Sequence, residues 1–441
     1  METNLATDQQ VLPDERPTAA SGNFFAMASS YFMGVVNDNF FKQACMVLAL
    51  AMSMQATQDG KGALAQYLGN LQNVATVIYT LPFILFAAYA GFLADRYSKR
   101  RIVIAAKLLE LFAMLLGAGA LLAGNWNLLL AMIFIMGLQA TIFSPALNGT
   151  IPEVFPAHYV PRANAYMKVV STAAILIGVA AGSGVMGLKS VVVAGVPLGQ
   201  VLVAGLAVAV AVVGLVVSLG VPRRPAADPM APFPVWGPLS TLRELARMVR
   251  DPLLAITIAI DTYVWFLGAL LVLLINNLGI RQMRFGEGLT GVLVVAELVG
   301  IAVGGLIAGR ASATIRWYRM IAPAAIGMGL ALMGIVSVPY LAESWQLPAM
   351  VFLLAGAGVG GGILLIPLES FIQIRPPAQR KGTIIAAANL AAFTGILLSG
   401  AQSRAFDLAD SPPTVSLAVM GLVTAGVGLI LLPVLGRWRD E

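Results

Sequence analysis

Long apolar segments separated by short polar connections follow one another along almost the whole chain. A helix needs roughly 20 mostly apolar residues to cross the hydrocarbon of a bilayer. Twelve segments reach that length, which predicts an all-α membrane protein with twelve transmembrane helices. These segments lie at about 23–54, 66–94, 102–124, 127–150, 164–187, 191–220, 253–279, 286–309, 319–341, 346–370, 382–403 and 413–436.

The composition supports a membrane protein and excludes a soluble one. Hydrophobic residues make up 59% of the chain and charged residues only 11%, whereas a soluble domain has about 25% charged residues. We therefore expect no nucleic-acid partner, in spite of the net charge of +6. The only cysteine, Cys45, lies in an apolar segment, so no intramolecular disulfide can form. Residues 1–22 are polar and predict a disordered tail rather than a cleavable signal peptide.

The basic residues lie mainly on one side of the predicted membrane. With twelve spans, 19 of the 27 Lys and Arg residues fall in the two tails and in the loops on the side of those tails, and 5 fall on the opposite side. Loops rich in Lys and Arg stay in the cytoplasm. The asymmetry therefore predicts that both termini are cytoplasmic.

The longest internal connection divides the chain into two halves of six spans. It is rich in proline and then continues as a segment in which Leu242, Leu245 and Val249 have helical spacing beside Arg243 and Arg247. This pattern predicts a short amphipathic helix, either on the cytoplasmic membrane surface or as a solvated linker without a specific role. The predicted parts are a cytoplasmic tail at 1–22, a six-helix bundle at 23–220, a linker at 221–252, a second bundle at 253–436 and a tail at 437–441.

The loop between the second and third spans carries a recognisable motif. The motif consists of a glycine, three variable residues, an aspartate, a basic residue and one variable residue. Ser98 follows, and two further basic residues come directly after it. The loop resembles the signature loop of the major facilitator superfamily, in which a second glycine stands at the place of Ser98. The resemblance implies two six-helix bundles that rock around a central site, and a cytoplasmic gate formed by Gly91, Asp95, Arg96, Arg100 and Arg101.

Three further stretches are similar to the lysophospholipid transporter family and to the transporter portion of bacterial acyltransferase fusions. They span residues 36–42 in the first helix, 143–153 around the end of the fourth helix, and 163–167 at the start of the fifth helix. The resemblance implies an important role for Asp38. The chain departs from the family at Leu147 and Asn148, where Lys-Tyr is usual, and at Lys168, where an acidic residue is frequent.

Charged residues inside the predicted spans are candidates for the substrate site, because each costs about 2.5–3.5 kcal/mol at the bilayer centre. Asp38 and Lys42 share one face of the first helix in the order that favours an ion pair, and Asn37 and Asn39 flank Asp38. We expect these residues either to contact substrate or to form a neutralised pair that holds helices together.

Other intramembrane charges have the same two interpretations. Asp261 in the seventh helix is expected to face Asp38 or Lys42 across a cavity, and Glu297 lies near mid-depth in the eighth helix. Either carboxylate is a candidate to carry a coupling proton, with interhelical hydrogen bonding as the alternative. Lys168 is expected to meet an anionic headgroup or to extend toward the interface. The remaining expectations are a structural pair between Lys107 and Glu110, and inter-helix locks at Glu153 and Glu369.

The sequence predicts a transporter rather than an enzyme. The single histidine, His158, is followed four residues later by Arg162, whereas acyltransferases have an aspartate at that place. We expect no catalytic residues, no metal site and no cofactor. The family resemblance implies a monomer in the bacterial inner membrane that moves lysophospholipid from the outer to the inner leaflet, where a separate acyltransferase re-acylates it. The alternatives are a proton-coupled transporter of a small drug-like or polar solute, and a membrane scaffold without transport activity.

Overall fold

Helices account for nearly all of the secondary structure in the part of the chain that the structure describes. The computed structural model describes residues 18–188, 191–193, 195–312 and 317–436. Within these ranges lie fourteen α-helices: α1 (Thr18–Gln58), α2 (Gly62–Leu85), α3 (Ala87–Arg96), α4 (Lys99–Leu122), α5 (Trp126–Val154), α6 (Val160–Met186), α7 (Leu198–Ser218), α8 (Pro238–Met248), α9 (Pro252–Asn277), α10 (Gly286–Ala311), α11 (Tyr318–Gly334), α12 (Glu343–Ile374), α13 (Lys381–Leu408) and α14 (Pro413–Gly436). Two short antiparallel strands, β1 (Val192–Val193) and β2 (Val196–Pro197), pair between α6 and α7.

The described helices provide ten to eleven candidate membrane crossings, where twelve were predicted. Among the described residues, ten helices are long and apolar enough to span a bilayer, and α2 with α3 forms an eleventh span that is bent by 52°. The bend lies at Phe86, the residue between α2 and α3. The 41-residue α1 covers the first predicted span and is not among these candidate spans.

Several predicted limits were wrong. Helix α1 begins at Thr18, inside the predicted tail, while residues 1–17 and the predicted C-terminal tail lie outside the described residues. The sixth span was expected from residue 191, but α7 begins at Leu198 because the apolar residues before it form the β1–β2 hairpin. The ninth span changes at Ile335 from α-helix to a 3₁₀ segment that contains Pro339.

The main clusters of buried apolar residues each draw on one half of the chain. The largest cluster of buried residues extends from Leu253 to Leu435 and draws only on the second half. Two other clusters lie in the first half, one between Phe40 and Ala211 and one between Met27 and Val221. Each half therefore has its own packed interior. The exact domain limits stay a prediction.

The linker is anchored at one end of the molecule. The short helix predicted there is present as α8, and it buries Thr241, Glu244 and Met248. Glu244 pairs with Arg380, which precedes α13, so the linker and that loop lie at the same end. This end also contains the loop after α3 and is called the basic end below.

Candidate functional site

A central cavity of about 290 Å³ lies between the two halves. Its walls come from α1, α2, α4, α5 and α6 on one side and from α9, α12 and α13 on the other. The charged residues in the walls are Asp38, Lys107, Lys168, Asp261 and Glu369. The cavity is close to the lower limit of the volumes usual for small-molecule sites.

The first half contributes an unpaired carboxylate and a buried ion pair. Asp38 lies at the middle of α1, and its Oδ1 is buried without a hydrogen-bond partner. Beside it, Lys107 Nζ lies 2.7 Å from Glu110 Oε2, with both side chains 1% exposed. Glu110 also accepts hydrogen bonds from Asn37 at 3.3 Å and from Gln139 at 3.4 Å. Glu110 is thus held by three donors, while Asp38 keeps one oxygen available.

The predicted Asp38–Lys42 ion pair is absent, although both residues are among those the structure describes. Lys42 Nζ instead lies 4.4 Å from the centroid of the Tyr79 ring, a cation–π contact with α2. Asn39 donates to the Val35 carbonyl oxygen at 2.8 Å, within its own helix. Asp38 lines the cavity, whereas the other three candidates in α1, which are Asn37, Asn39 and Lys42, do not. Asn37 is directed toward Glu110 instead.

The second half contributes acidic side chains opposite a lysine. Asp261 is 4% exposed, and its Oδ1 has no hydrogen-bond partner. Lys168 of α6 has its Nζ 4.9 Å from the centroid of the Trp265 ring. Glu369 lines the same cavity. The inter-helix lock expected at Glu369 stays a prediction, since the residue lines the cavity and no ion pair to a basic loop is among its described contacts.

Two other acidic candidates lie outside the cavity. Glu297 of α10 is 2% exposed, and its Oε2 has no hydrogen-bond partner, but the residue does not line the cavity. Glu153 forms an ion pair with Lys99, as expected for a lock between helices. The predicted structural pair between Lys107 and Glu110 is present. The sequence did not predict that Lys107 also lines the cavity.

Polar contacts between the halves close the cavity toward the basic end. Asn164 Nδ2 donates to Ser370 Oγ at 2.8 Å and to Gln373 Oε1 at 3.1 Å, and Gln373 Nε2 donates back to Asn164 Oδ1 at 3.3 Å. Asn389 of α13 donates to Ser144 of α5 at 3.0 Å. All of these side chains except Ser370 lie in the cavity wall. They therefore form its floor on the side of the basic end.

The motif loop makes a second contact between the halves, below this floor. Asp95 accepts hydrogen bonds from the backbone nitrogens of Gly382 at 2.7 Å and Thr383 at 2.8 Å, and from Thr383 Oγ1 at 2.7 Å. These nitrogens belong to the first turn of α13, which has no side-chain cap of its own. A carboxylate at this place satisfies free N–H groups and is favoured by the helix dipole. Asp95 thus caps a helix of the opposite half.

Glycine allows this close approach. A Cβ added to Gly91 would lie 2.7 Å from the Thr383 Cα atom, closer than real side chains come. Of the other motif residues, Arg96 donates to the Ala231 carbonyl oxygen at 2.6 Å and Arg100 to that of Leu219 at 2.7 Å. Arg101 is exposed. The motif therefore fastens α3 both to α13 and to the linker.

Comparisons with known proteins agree with this geometry. Residues 19–400 match the family model described as Major Facilitator Superfamily. The lysophospholipid transporter LplT of Serratia proteamaculans (strain 568) is 27% identical over 396 residues, which cover 88% of this chain and 89% of that protein. The human organic anion transporter MFSD10 (TETRAN) has a similar structure, with a TM-score of 0.70, 12% identity, and coverage of 92% of this chain and 98% of that one.

A third similar protein is the transporter FucP in its outward conformation, with a TM-score of 0.69 and 14% identity. The match covers 95% of this chain and 98% of FucP. At these identities the two solved structures support the fold, and the family match extends over most of the sequence. The chain belongs to the Major Facilitator Superfamily and is a multi-pass secondary transporter rather than an enzyme.

Proposed function

We propose that this transporter moves lysophospholipid from the outer to the inner leaflet of a bacterial inner membrane. In this proposal the basic end faces the cytoplasm, as the distribution of Lys and Arg favours. The chain acts as a monomer, and a separate acyltransferase re-acylates the lipid after transfer. Similarity to the lysophospholipid transporter LplT over most of both chains supports this substrate class.

The observation that carries the proposal is the pairing of opposite charges with apolar surface in one cavity. Lys168 is suited to a phosphate, while Asp261 and Glu369 are suited to a primary amine nearby. The aromatic rings of Phe83 and Phe393 stack with their centroids 3.5 Å apart at another part of the wall. A single acyl chain requires such an apolar surface, and a zwitterionic headgroup requires both charge signs.

The cavity is closed on the side of the basic end by the contacts of Asn164 and of Asp95. If that end is cytoplasmic, the state described here is closed toward the cytoplasm. Lipid then enters from the outer leaflet and leaves after both contacts have opened. This is the order of events that rocking of the two halves around a fixed site requires.

Proton-coupled transport of a small solute is the second candidate. Asp38 and Asp261 each have a buried oxygen without a hydrogen-bond partner. A buried carboxyl group in this situation is a possible proton carrier. This candidate predicts transport that responds to an imposed pH gradient, whereas lysophospholipid transfer without a coupling proton does not.

The test is uptake of labelled lysophosphatidylethanolamine into proteoliposomes that contain the whole chain. We expect protein-dependent transfer for the wild type and a rate about 10- to 100-fold lower for Asp38→Ala, which is the effect of losing one charged hydrogen-bonding group. Asp59→Asn is the matched control, because Asp59 forms only an exposed pair with Lys61. Folded wild-type protein that transfers no lipid would refute the substrate. Undiminished transfer by Asp38→Ala would refute the role of Asp38 in the site.

A further inference from the structure

We propose that the exposed side of the linker is a binding surface for anionic lipid headgroups of the leaflet at the basic end. The surface consists of the outer faces of α8 and of the segment just before it. It lies away from the central cavity and is independent of the transported substrate. Its members are Met230, Val235, Trp236, Leu239, Leu242, Arg243, Arg247, Val249 and Arg250, all of them exposed.

Helix α8 presents three different faces. Its buried face contains Thr241, Glu244 and Met248, which contact the rest of the protein. At about 100° per residue, Leu242 and Val249 lie about 105–125° away from the centre of that face. Their exposed fractions are 54% and 67%. These apolar side chains therefore point away from the protein, which a helix surrounded by water would not favour.

Arginines continue this apolar strip on its far side. Arg243 lies about 100° from Leu242 and places its guanidinium 5.4 Å from the centroid of the Trp236 ring. Trp236 itself is 65% exposed. A helix with an apolar strip, flanking arginines and an aromatic ring lies in the interface of a membrane, where the arginines meet anionic headgroups. The charge complementarity selects anionic lipid over zwitterionic lipid.

The position of α8 makes this contact possible. Only three residues separate Met248, the last residue of α8, from Pro252, the first residue of the membrane-spanning α9. At about 3.5 Å per residue, the end of α8 lies within roughly 14 Å of that span. Asp251 caps α9 by accepting a hydrogen bond from the Leu254 backbone nitrogen at 3.2 Å. The cap fixes this short connection and keeps α8 close to the membrane surface.

The opposite side of the linker holds the closed basic end. Glu244 pairs with Arg380 before α13 and with Arg247 at 2.5 Å. On the other flank, Arg96 of α3 donates to the Ala231 carbonyl oxygen, and the Phe233 ring contacts the Phe92 ring with centroids 5.4 Å apart. The linker thus connects α3 and α13 on one side and offers its apolar and basic side to lipid.

The test places an environment-sensitive fluorophore on Leu242→Cys in the full chain, with Cys45→Ala to remove the native thiol. Proteoliposomes contain phosphatidylcholine alone or with added phosphatidylglycerol, and nitroxide-labelled lipid serves as the quencher. We expect strong quenching only with phosphatidylglycerol, and weaker quenching at high salt. The same label on Ser240→Cys, about 160° around the helix, is the control and should remain unquenched.

Charge variants separate lipid recognition from helix stability. Replacing Arg243 and Arg250 by glutamine should lower the ratio of bound to unbound α8 about fivefold for each arginine, and replacement by lysine should restore most of it. Equal quenching of the Leu242 label in both lipid compositions would overturn the selection of anionic lipid. Access of aqueous iodide to that label in both would overturn the membrane contact itself.

Discussion

Replacement of Asp95 by asparagine should open the basic end of the transporter. In the closed state the Asp95 carboxylate accepts the backbone N–H groups of Gly382 and Thr383 and the Thr383 hydroxyl. Asparagine keeps one acceptor oxygen but presents an NH₂ group where the other oxygen stood. It therefore leaves at least one donor of α13 without a partner in the closed state only.

The size of the effect follows from three contributions. One hydrogen bond is lost, with a buried N–H left unpaired, which costs about 1–3 kcal/mol, and the surviving bonds lose their charge assistance, worth about 1 kcal/mol. The interaction of the negative charge with the start of α13 adds about 0.3–1 kcal/mol. A total of about 3 kcal/mol shifts the ratio of open to closed molecules by roughly 100-fold.

Distances between spin labels at the basic end measure this ratio directly. Tyr97 and Gln379 are exposed and lie on opposite halves, next to Asp95 and to α13. Cysteines at these two positions, in a Cys45→Ala chain in lipid nanodiscs, should give one short distance in the parent protein. With Asp95→Asn, a longer distance should appear as a major population.

Two further variants test whether the shift comes from the Asp95 contacts. Thr383→Val removes only the hydroxyl contact and should shift the ratio about tenfold, the lower end of the effect of one hydrogen bond to a charged group. Asp228→Asn lies at the same end, but its side chain accepts only from Met230 of the linker, so no shift is expected. An unchanged distance distribution for Asp95→Asn would refute the idea that this cap holds the halves together.

Further predictions concern the Lys107–Glu110 ion pair and the close approach at Gly91. Lys107→Met should destabilise the protein by about 3–5 kcal/mol in thermal unfolding, because Glu110 is left buried without its partner. The double variant Lys107→Met with Glu110→Met should recover most of this loss, and equal unfolding of the single and double variants would contradict the prediction. Gly91→Ala should favour the open distance between the spin labels, because its Cβ cannot lie 2.7 Å from the Thr383 Cα atom, whereas Gly119→Ala, with no neighbouring atom within 4 Å, should leave that distance unchanged.

The helices were predictable because membrane spans follow from length and hydropathy alone. The β1–β2 hairpin was not, since Val191, Val192 and Val193 are as apolar as the helix after them and differ only in a turn at Gly195. Gly195 has a positive φ of 83°. Its turn lets the chain reverse between the two strands, and hydropathy does not report backbone direction.

The site was predictable in its residue types and only partly in its geometry. Asp38 and Asp261 were expected to face one cavity, and both line it. Helical spacing placed Lys42 on the face of Asp38, but the Tyr79 ring of α2 competes for the ammonium group. The cavity position of Lys107 depends on how α1 and α5 pack around α4, and spacing within α4 cannot reveal it.

The cap supplied by Asp95 makes the start of α13 depend on the opposite half of the molecule. The residue at the N-cap position is Arg380, a side chain that can only donate hydrogen bonds. When the halves separate, the amides of Gly382 and Thr383 lose their acceptor and meet water. Their hydrogen-exchange rates therefore report the conformational state of the unlabelled transporter, so the gating equilibrium can be followed during turnover in the natural sequence.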